Sequence, residues 1–289
     1  MTAQTSLAGM KVVILCGGLG TRLREETEYR PKPLVPIGNR PILWHIMKTY
    51  AAFGATDFVL ALGYKGDMIK DFFLNYEAMV SDFTLDLGSK TITRLNSSSA
   101  ESNWRITFVE TGDGTQTGGR LKRLQPYLRS ESSFLLTYGD GVSDVDLSSL
   151  RRFHERAGCA VVLTGVRPVA RFGELSVEGD RVAQFVEKPA SGEGWVNGGF
   201  FVMTPKVFDY IDADQTILER EPLERLAADR QLGVFKHEGY WQCMDTYRDM
   251  VLLNEQWAAG HAPWKRWDDA GRISPAGGTD GIERLRRTA

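Results

Sequence analysis

The sequence predicts an α/β fold: a doubly wound, mostly parallel sheet with an added β-rich region packed against it. Three observations carry that prediction. Near-continuous apolar runs of strand length, Lys11 to Cys16 and Phe58 to Gly63, suit strands covered by helices on both faces. A helical pattern separates these two runs, so the order is that of a βαβ unit, which implies parallel strands and a right-handed crossover. After Pro168 the texture changes to shorter stretches joined by turn residues. A chain of 289 residues and 32.3 kDa allows one large domain or two small ones. At that size about three quarters of the unfolded surface is buried, so no disulfide or metal staple is required.

The elements follow in order. Lys11 to Cys16 is the first strand and stops at Gly17-Gly18. Pro41 is a good first helical residue, and Ile42, Leu43, Ile46, Met47 and Tyr50 recur at helical spacing up to Gly54. Phe58 to Gly63 is the second strand, with further strands at Arg105 to Glu110, Phe134 to Tyr138 and Cys159 to Val166. Helices are expected around Gly119 to Leu128 and Leu147 to Ala157. Gly173 to Glu178 and Val182 to Glu187 flank Gly179-Asp180 as a hairpin; Trp195 to Met203 reads as one strand and Thr246 to Ala259 as a late helix. Tyr76 to Ser102 is long for a connection, and its second half, Asn96 to Ser102, is expected to be a mobile surface loop. Residues 1–9 are expected as a disordered leader and residues 268–289 as a disordered tail.

Thirty-five Lys plus Arg face 37 Asp plus Glu, a formal charge of −2. That balance argues against a general nucleic-acid coat or a polybasic membrane binder, both of which need concentrated positive charge. With 42% hydrophobic and 25% charged residues the chain is no disordered polymer either. Met1 to Gly9 lacks a signal peptide's basic start and apolar stretch, and no apolar run reaches the length of a membrane span. Cys16, Cys159 and Cys243 are odd in number and too widely spaced for a metal or redox pair. They fit buried thiols of a reducing compartment, so a cytoplasmic protein is expected, without nucleic-acid or membrane partners.

The strongest chemical signal lies at the exit of the first strand: Gly17-Gly18-Leu19-Gly20-Thr21-Arg22, followed by Pro31-Lys32-Pro33. Glycines at such an exit let backbone N–H groups approach phosphate oxygens, with Arg22 and Lys32 adding charge. The motif is neither a P-loop nor a dinucleotide fingerprint, because Leu23 stands where a third glycine would. A second signal is Tyr138-Gly139-Asp140-Gly141, again at a strand exit. Asp140 suits Mg²⁺, which takes one or two carboxylates and completes its shell with phosphate and water; equally, Gly-Asp-Gly is an ordinary turn. Asp245 reads as a second ligand or as a helix N-cap. Glu187-Lys188 and Asn197 are polar groups emerging from a β scaffold, able to hold sugar hydroxyls and a phosphate or simply to end strands. The four histidines, His45, His154, His237 and His261, form no metal spacing, and there is no nucleophile elbow. A reaction needing neither base nor covalent nucleophile fits this inventory.

Taken together from Met10 to Trp267, these motifs resemble the glucose-1-phosphate cytidylyltransferase family, a branch of the nucleotide-sugar pyrophosphorylases. The superfamily mark is Gly17 to Arg22 with Pro31-Lys32-Pro33. The cytidylyl branch is marked by Thr117-Gly118-Gly119-Arg120-Leu121-Lys122-Arg123 and Tyr138-Gly139-Asp140-Gly141-Val142. Pro41 to Lys48, Gly198 to Val202 and Trp241 to Thr246 are similar as well. The resemblance implies a Rossmann-like nucleotidyltransferase fold with a nucleotide-binding half at 10–165 and a sugar-phosphate-binding half at 166–267. It implies transfer of a cytidylyl group from CTP to α-D-glucose 1-phosphate, with Mg²⁺, giving CDP-glucose and pyrophosphate. By motif, Leu15, Gly17, Gly18, Leu19, Gly20 and Thr21 cradle CTP, Arg22 and Lys32 are catalytic, and Gly139 lines the site. Asp140 and Asp245 bind the metal, which favours the ligand reading of Asp245 over the cap. Thr115 and Arg120 read the base, Arg120 through the cytosine O2 that uracil shares. Glu187, Lys188 and Asn197 serve the sugar phosphate. A homo-oligomer, with a hexamer as the candidate state, is also implied. The rival readings are a thymidylyl- or uridylyltransferase of the same superfamily and a non-catalytic sugar-nucleotide-binding subunit.

Overall fold

Val12 and Ile14 point to one side of the first strand and Val13 and Leu15 to the other, and all four are buried, each pair in a different apolar cluster. The unbroken apolar run therefore reports a strand sandwiched between two layers, as the sequence predicts. A computed structural model describes residues 7–95, 101–167 and 194–268, together with the backbone of 174–178 and 181–186. Its central eight-stranded sheet is built from β1 (Lys11–Leu15), β2 (Asp57–Leu62), β3 (Arg105–Glu110), β4 (Phe134–Tyr138), β5 (Val161–Val166), β6 (Val196–Asn197), β7 (Phe201–Met203) and β8 (Leu232–His237). β3, β2, β1 and β4 lie side by side and parallel. β7 then runs antiparallel between β4 and β5, and β8 closes the far edge parallel to β5.

From β1 the chain winds outward through β2 and β3, then returns to place β4 on the opposite side of β1. The crevice beyond the carboxyl ends of β1 and β4 is the topological switch point, where ligands of such sheets bind. Helix α1 (Ile42–Ala52) follows Pro41 as expected, and every residue from Ile42 to Tyr50 is buried. A helix buried all round needs cover on both sides. The sheet supplies one side and Trp257, Trp264 and Trp267 the other. α2 (Gly66–Leu74) and α4 (Leu147–Ala157) share that layer, while α3 (Thr117–Arg123) and α5 (Glu221–Ala228) pack on the opposite face.

Several expectations are revised. Trp195 to Met203 is two short strands rather than one, because Gly199 and Phe200 adopt positive φ of 78° and 49°. Phe200 holds this unfavourable backbone with its ring buried and stacked on Tyr50 at 6.0 Å. The Tyr76–Ser102 connection carries a helical turn, Tyr76–Val80, and an antiparallel hairpin, Phe83–Asp86 with Thr91–Arg94, both strands exposed throughout. Residues 96–100 of the expected mobile loop lie outside the described residues, as do the leader to residue 6 and the tail from residue 269. α2, α5 and β8 are absent from the sequence expectation; β8 is a half-exposed edge strand whose Gly233 and Lys236 dilute the apolar pattern. The hairpin after Pro168 is present as Glu174–Glu178 and Arg181–Val186. α6 (Tyr247–Ala258) is the late helix. Among the described residues no helix is long and apolar enough to cross a membrane.

His45, on α1, holds the aromatic layer together. Its Nδ1 accepts from Trp264 Nε1 at 3.4 Å, leaving Nε2 to donate to the Ile37 carbonyl at 3.0 Å. Burial pushes the imidazole down to about 4. The folded protein therefore keeps His45 neutral, while the unfolded chain takes up a proton near its ordinary value of about 6.5. Stability from this site is present above that value and is lost as pH falls from about 6.5 toward 4, by roughly 3 kcal/mol in all. Denaturant unfolding at pH 7 and pH 4.5 should show a larger loss for the wild type than for His45→Gln. Equal losses would remove His45 as the cause.

Candidate active site

β1 ends at Leu15, and the chain leaves the sheet through an exposed loop. Among the described residues no oxygen accepts from the amides of Gly18, Leu19 or Gly20. Consecutive unpartnered N–H groups at a strand exit make an anion-binding concavity. Thr21 to Leu23 form a single tight turn that leaves Arg22 at the mouth, its side chain 73% exposed. A second tight turn, Lys32–Leu34, is set by extended Pro31 and by Pro33. This turn lies directly on the exit of β4. A Cβ on Gly139 would sit 2.9 Å from the Leu15 carbonyl and 3.0 Å from Pro33, so only glycine admits that approach.

The two aspartates meet because a small antiparallel ladder draws distant segments together. Gly141–Ser143 pairs with Trp241–Cys243, and the Met244 amide donates to the Asp140 carbonyl at 2.8 Å. Asp245 follows immediately. It is not the helix cap: Thr246 caps α6 in a reciprocal box with Asp249. The Asp245 amide also donates to the Asp249 carboxylate, at 3.1 Å. The Asp245 carboxylate is thereby released for the crevice.

There it meets the cations that the sequence singles out. Lys32 Nζ donates to Asp140 Oδ2 at 2.6 Å and to Asp245 Oδ1 at 2.7 Å, and Arg22 Nη1 donates to Asp245 Oδ2 at 2.8 Å. Burial opposes charge on Lys32, yet the two carboxylates outweigh it and raise the ammonium above its ordinary value. Burial likewise pushes the Asp245 carboxyl up, but Lys32 and then Arg22 hold it below the usual carboxylate range. Both groups are charged at neutral pH. Burial pushes the nearby thiols up, Cys243 to about 12 and Cys16 further, so neither offers a thiolate.

Arg120, expected to read the base, is engaged by oxygens around the glycine loop. Its guanidinium is buried against Gly17, whose Cβ would lie 2.2 Å from Nη1. Nη1 donates to Leu62 O, Thr111 Oγ1 and Gly112 O at 3.1, 2.7 and 2.7 Å, and Nη2 to Gly17 O and Asp113 O at 2.8 and 3.2 Å. The side chain thus ties the glycine loop to the exits of β2 and β3. A contact to a base would have to use Nε or displace one of these oxygens. Thr115 is buried in the loop ahead of α3. Asn197 stands beside β4: its Nδ2 donates to Tyr138 Oη at 3.0 Å, and its Oδ1 accepts from the Gly199 amide at 2.9 Å. Tyr138 donates to Glu219 at 2.6 Å, and Glu219 also accepts from Thr117 at 2.6 Å. Glu219 escaped the sequence reading because nothing around it forms a motif. Glu187 and Lys188 lie outside the described residues. None of the described hydrogen bonds joins a histidine to Lys32, Asp140 or Asp245. Replacing Arg120 with Met strands several buried carbonyls, and should cost about 2–4 kcal/mol in urea unfolding. Unchanged stability with lost nucleotide discrimination would instead assign the side chain to the base.

Residues 11–274 match the sequence model of the nucleotidyl transferase family. The glucose-1-phosphate cytidylyltransferase of Salmonella typhi is 48% identical over 259 residues, covering 90% of this chain and all of the relative. The probable glucose-1-phosphate cytidylyltransferase of Bacillus subtilis is 46% identical over 259 residues, covering 89% of this chain and 100% of its own. Among solved structures, HddC from Yersinia pseudotuberculosis aligns with a TM-score of 0.62 at 25% identity, over 86% of this chain and 99% of that one. A UDP-glucose pyrophosphorylase complexed with UDP-glucose shares the fold, with a TM-score of 0.62 at 15% identity over 87% and 99% of the two chains. With near-half identity along the full length of its relatives, the chain belongs to the glucose-1-phosphate cytidylyltransferase family of nucleotidyl transferases.

Proposed function

We propose that this protein transfers the cytidylyl group of CTP to α-D-glucose 1-phosphate, giving CDP-glucose and pyrophosphate by direct in-line attack of the sugar phosphate on the α-phosphorus. The observation that carries the reading is the convergence of the open glycine loop, Lys32, Arg22, Asp140 and Asp245 at one switch-point crevice. A phosphate monoester already bears about −1.5 to −2 charges at neutral pH, so its oxygen needs no general base. The obstacle is bringing two anions together and neutralising charge at the reacting phosphorus. Unpartnered loop amides hold the triphosphate, and Lys32 and Arg22 supply positive charge where it accumulates. That division fits the absence of a histidine or thiolate among the described contacts of the two aspartates.

Nucleotidyltransferases of this family generally use a divalent metal. Asp140 and Asp245 suit one. A single cationic atom already lies within 2.7 Å of both carboxylates, and Mg²⁺ asks for one or two carboxylates with phosphate and water completing the shell. Bound there, Mg²⁺ would neutralise phosphate oxygens and orient the pyrophosphate leaving group. We assign residues 10–165 to the nucleotide and 166–267 to the sugar phosphate, with Glu187, Lys188 and Asn197 on the sugar side. We assign the protein to the cytoplasm, a reading supported by widely spaced cysteines that form no pair. A homo-oligomer is supported by the exposed hairpin, where Leu85 and Ile92 are 47% and 56% exposed on an isolated two-stranded unit.

Pyrophosphate release should be seen with CTP and glucose 1-phosphate together, and not with UTP or dTTP in place of CTP. Release with another nucleotide would keep the chemistry and move base reading away from Thr115 and Arg120. Asp140→Asn should lower kcat by roughly 10²–10³-fold with an unchanged unfolding midpoint. Wild-type turnover in that variant would withdraw the metal assignment.

A further inference from the structure

Lys32 Nζ sits between the two carboxylates, at 2.6 Å from Asp140 and 2.7 Å from Asp245, with its side chain only 12% exposed. These distances exceed a magnesium–oxygen bond of about 2.0–2.1 Å by little more than half an ångström. An ammonium and a divalent ion cannot share that point. From this geometry we infer that Lys32 is an internal occupant of the metal site, and that nucleotide binding frees the site by drawing the ammonium out onto phosphate. The inference rests on the reading of Asp140 and Asp245 as metal ligands.

The charges support an exchange. Two carboxylates face Lys32 and Arg22, so the cluster is balanced without a metal. Adding a divalent ion while Lys32 remains leaves excess positive charge in a half-buried crevice, which the low dielectric penalises. A triphosphate arriving on the loop at Gly18 to Thr21 supplies the missing negative charge and a new set of acceptors for the ammonium. Lysine suits this movement: its charge is compact and sits on a flexible stem, whereas the planar guanidinium of arginine would be held by its fork. Arg22, at the exposed mouth, can stay on Asp245 or follow the phosphates without blocking the ion. The consequence is an order. Metal without nucleotide binds weakly, and the two carboxylates become a good site only once Lys32 has left.

The test is Mn²⁺ binding without nucleotide, followed by the electron paramagnetic resonance signal of the free ion, for the full-length wild type, Lys32→Met and Lys32→Met/Asp140→Asn. Removing the ammonium should tighten Mn²⁺ binding at least tenfold over the wild type, and the double variant should lose that gain. A greater rise in unfolding temperature on adding Mn²⁺ for Lys32→Met than for the wild type would support the exchange and show that the variant is folded. Equal affinity in wild type and Lys32→Met overturns the exchange, while leaving the transferase reading to pyrophosphate release. A gain that persists in the double variant places the ion away from Asp140 and overturns it as well.

Discussion

Two carboxylates held on one ammonium organise the candidate site. Asp140 and Asp245 are remote in sequence, and like charges so close repel unless a cation lies between them. Lys32 is that cation, 2.6 Å from one and 2.7 Å from the other. Much of the surrounding structure serves this juxtaposition. The ladder between Gly141–Ser143 and Trp241–Cys243 brings the aspartates together, and the Thr246–Asp249 box leaves Asp245 unencumbered. Gly139 lets the Lys32 turn lie on the β4 exit, and the β1–β4 switch point aims everything at one crevice.

The arrangement also explains what the site does without. The thiols of Cys16 and Cys243 are driven toward the protonated form by burial and by the same aspartates. His45 is spent on the Ile37 carbonyl and a layer of tryptophans, and His237 on Asp144. Among the described residues no histidine hydrogen-bonds to Lys32, Asp140 or Asp245, which suits a substrate that already carries its own nucleophilic oxygen. In the proposed reaction the protein's work is electrostatic and geometric, and the groups assigned to it sit on tight turns braced by proline, glycine and the buried Arg120 clamp.

Much of this was legible in the sequence. Apolar runs announced β1, β2 and β4 because both faces of each are buried, so the pattern is uninterrupted. The glycine loop and the Pro-Lys-Pro turn were legible because their residue types are constrained by backbone conformation. Other features depend on tertiary contact and leave little local trace. Asp245 reads locally as a cap, and only the Thr246 box shows otherwise; the carbonyl partners of Arg120 come from segments far apart in sequence, so its clamp on the glycine loop leaves no local trace. Glu219 meets Tyr138 and Thr117 only through folding. The split between β6 and β7 turns on Phe200 holding positive φ, which no propensity would suggest.

The central claim is that the sugar phosphate attacks the nucleotide directly, with the protein supplying only position and charge. Stereochemistry at the α-phosphorus tests it most directly, using CTP made chiral there by a single sulfur and analysing the CDP-glucose formed. One in-line displacement predicts inversion. Retention would require a covalent nucleotidyl intermediate on the protein and would contradict the account.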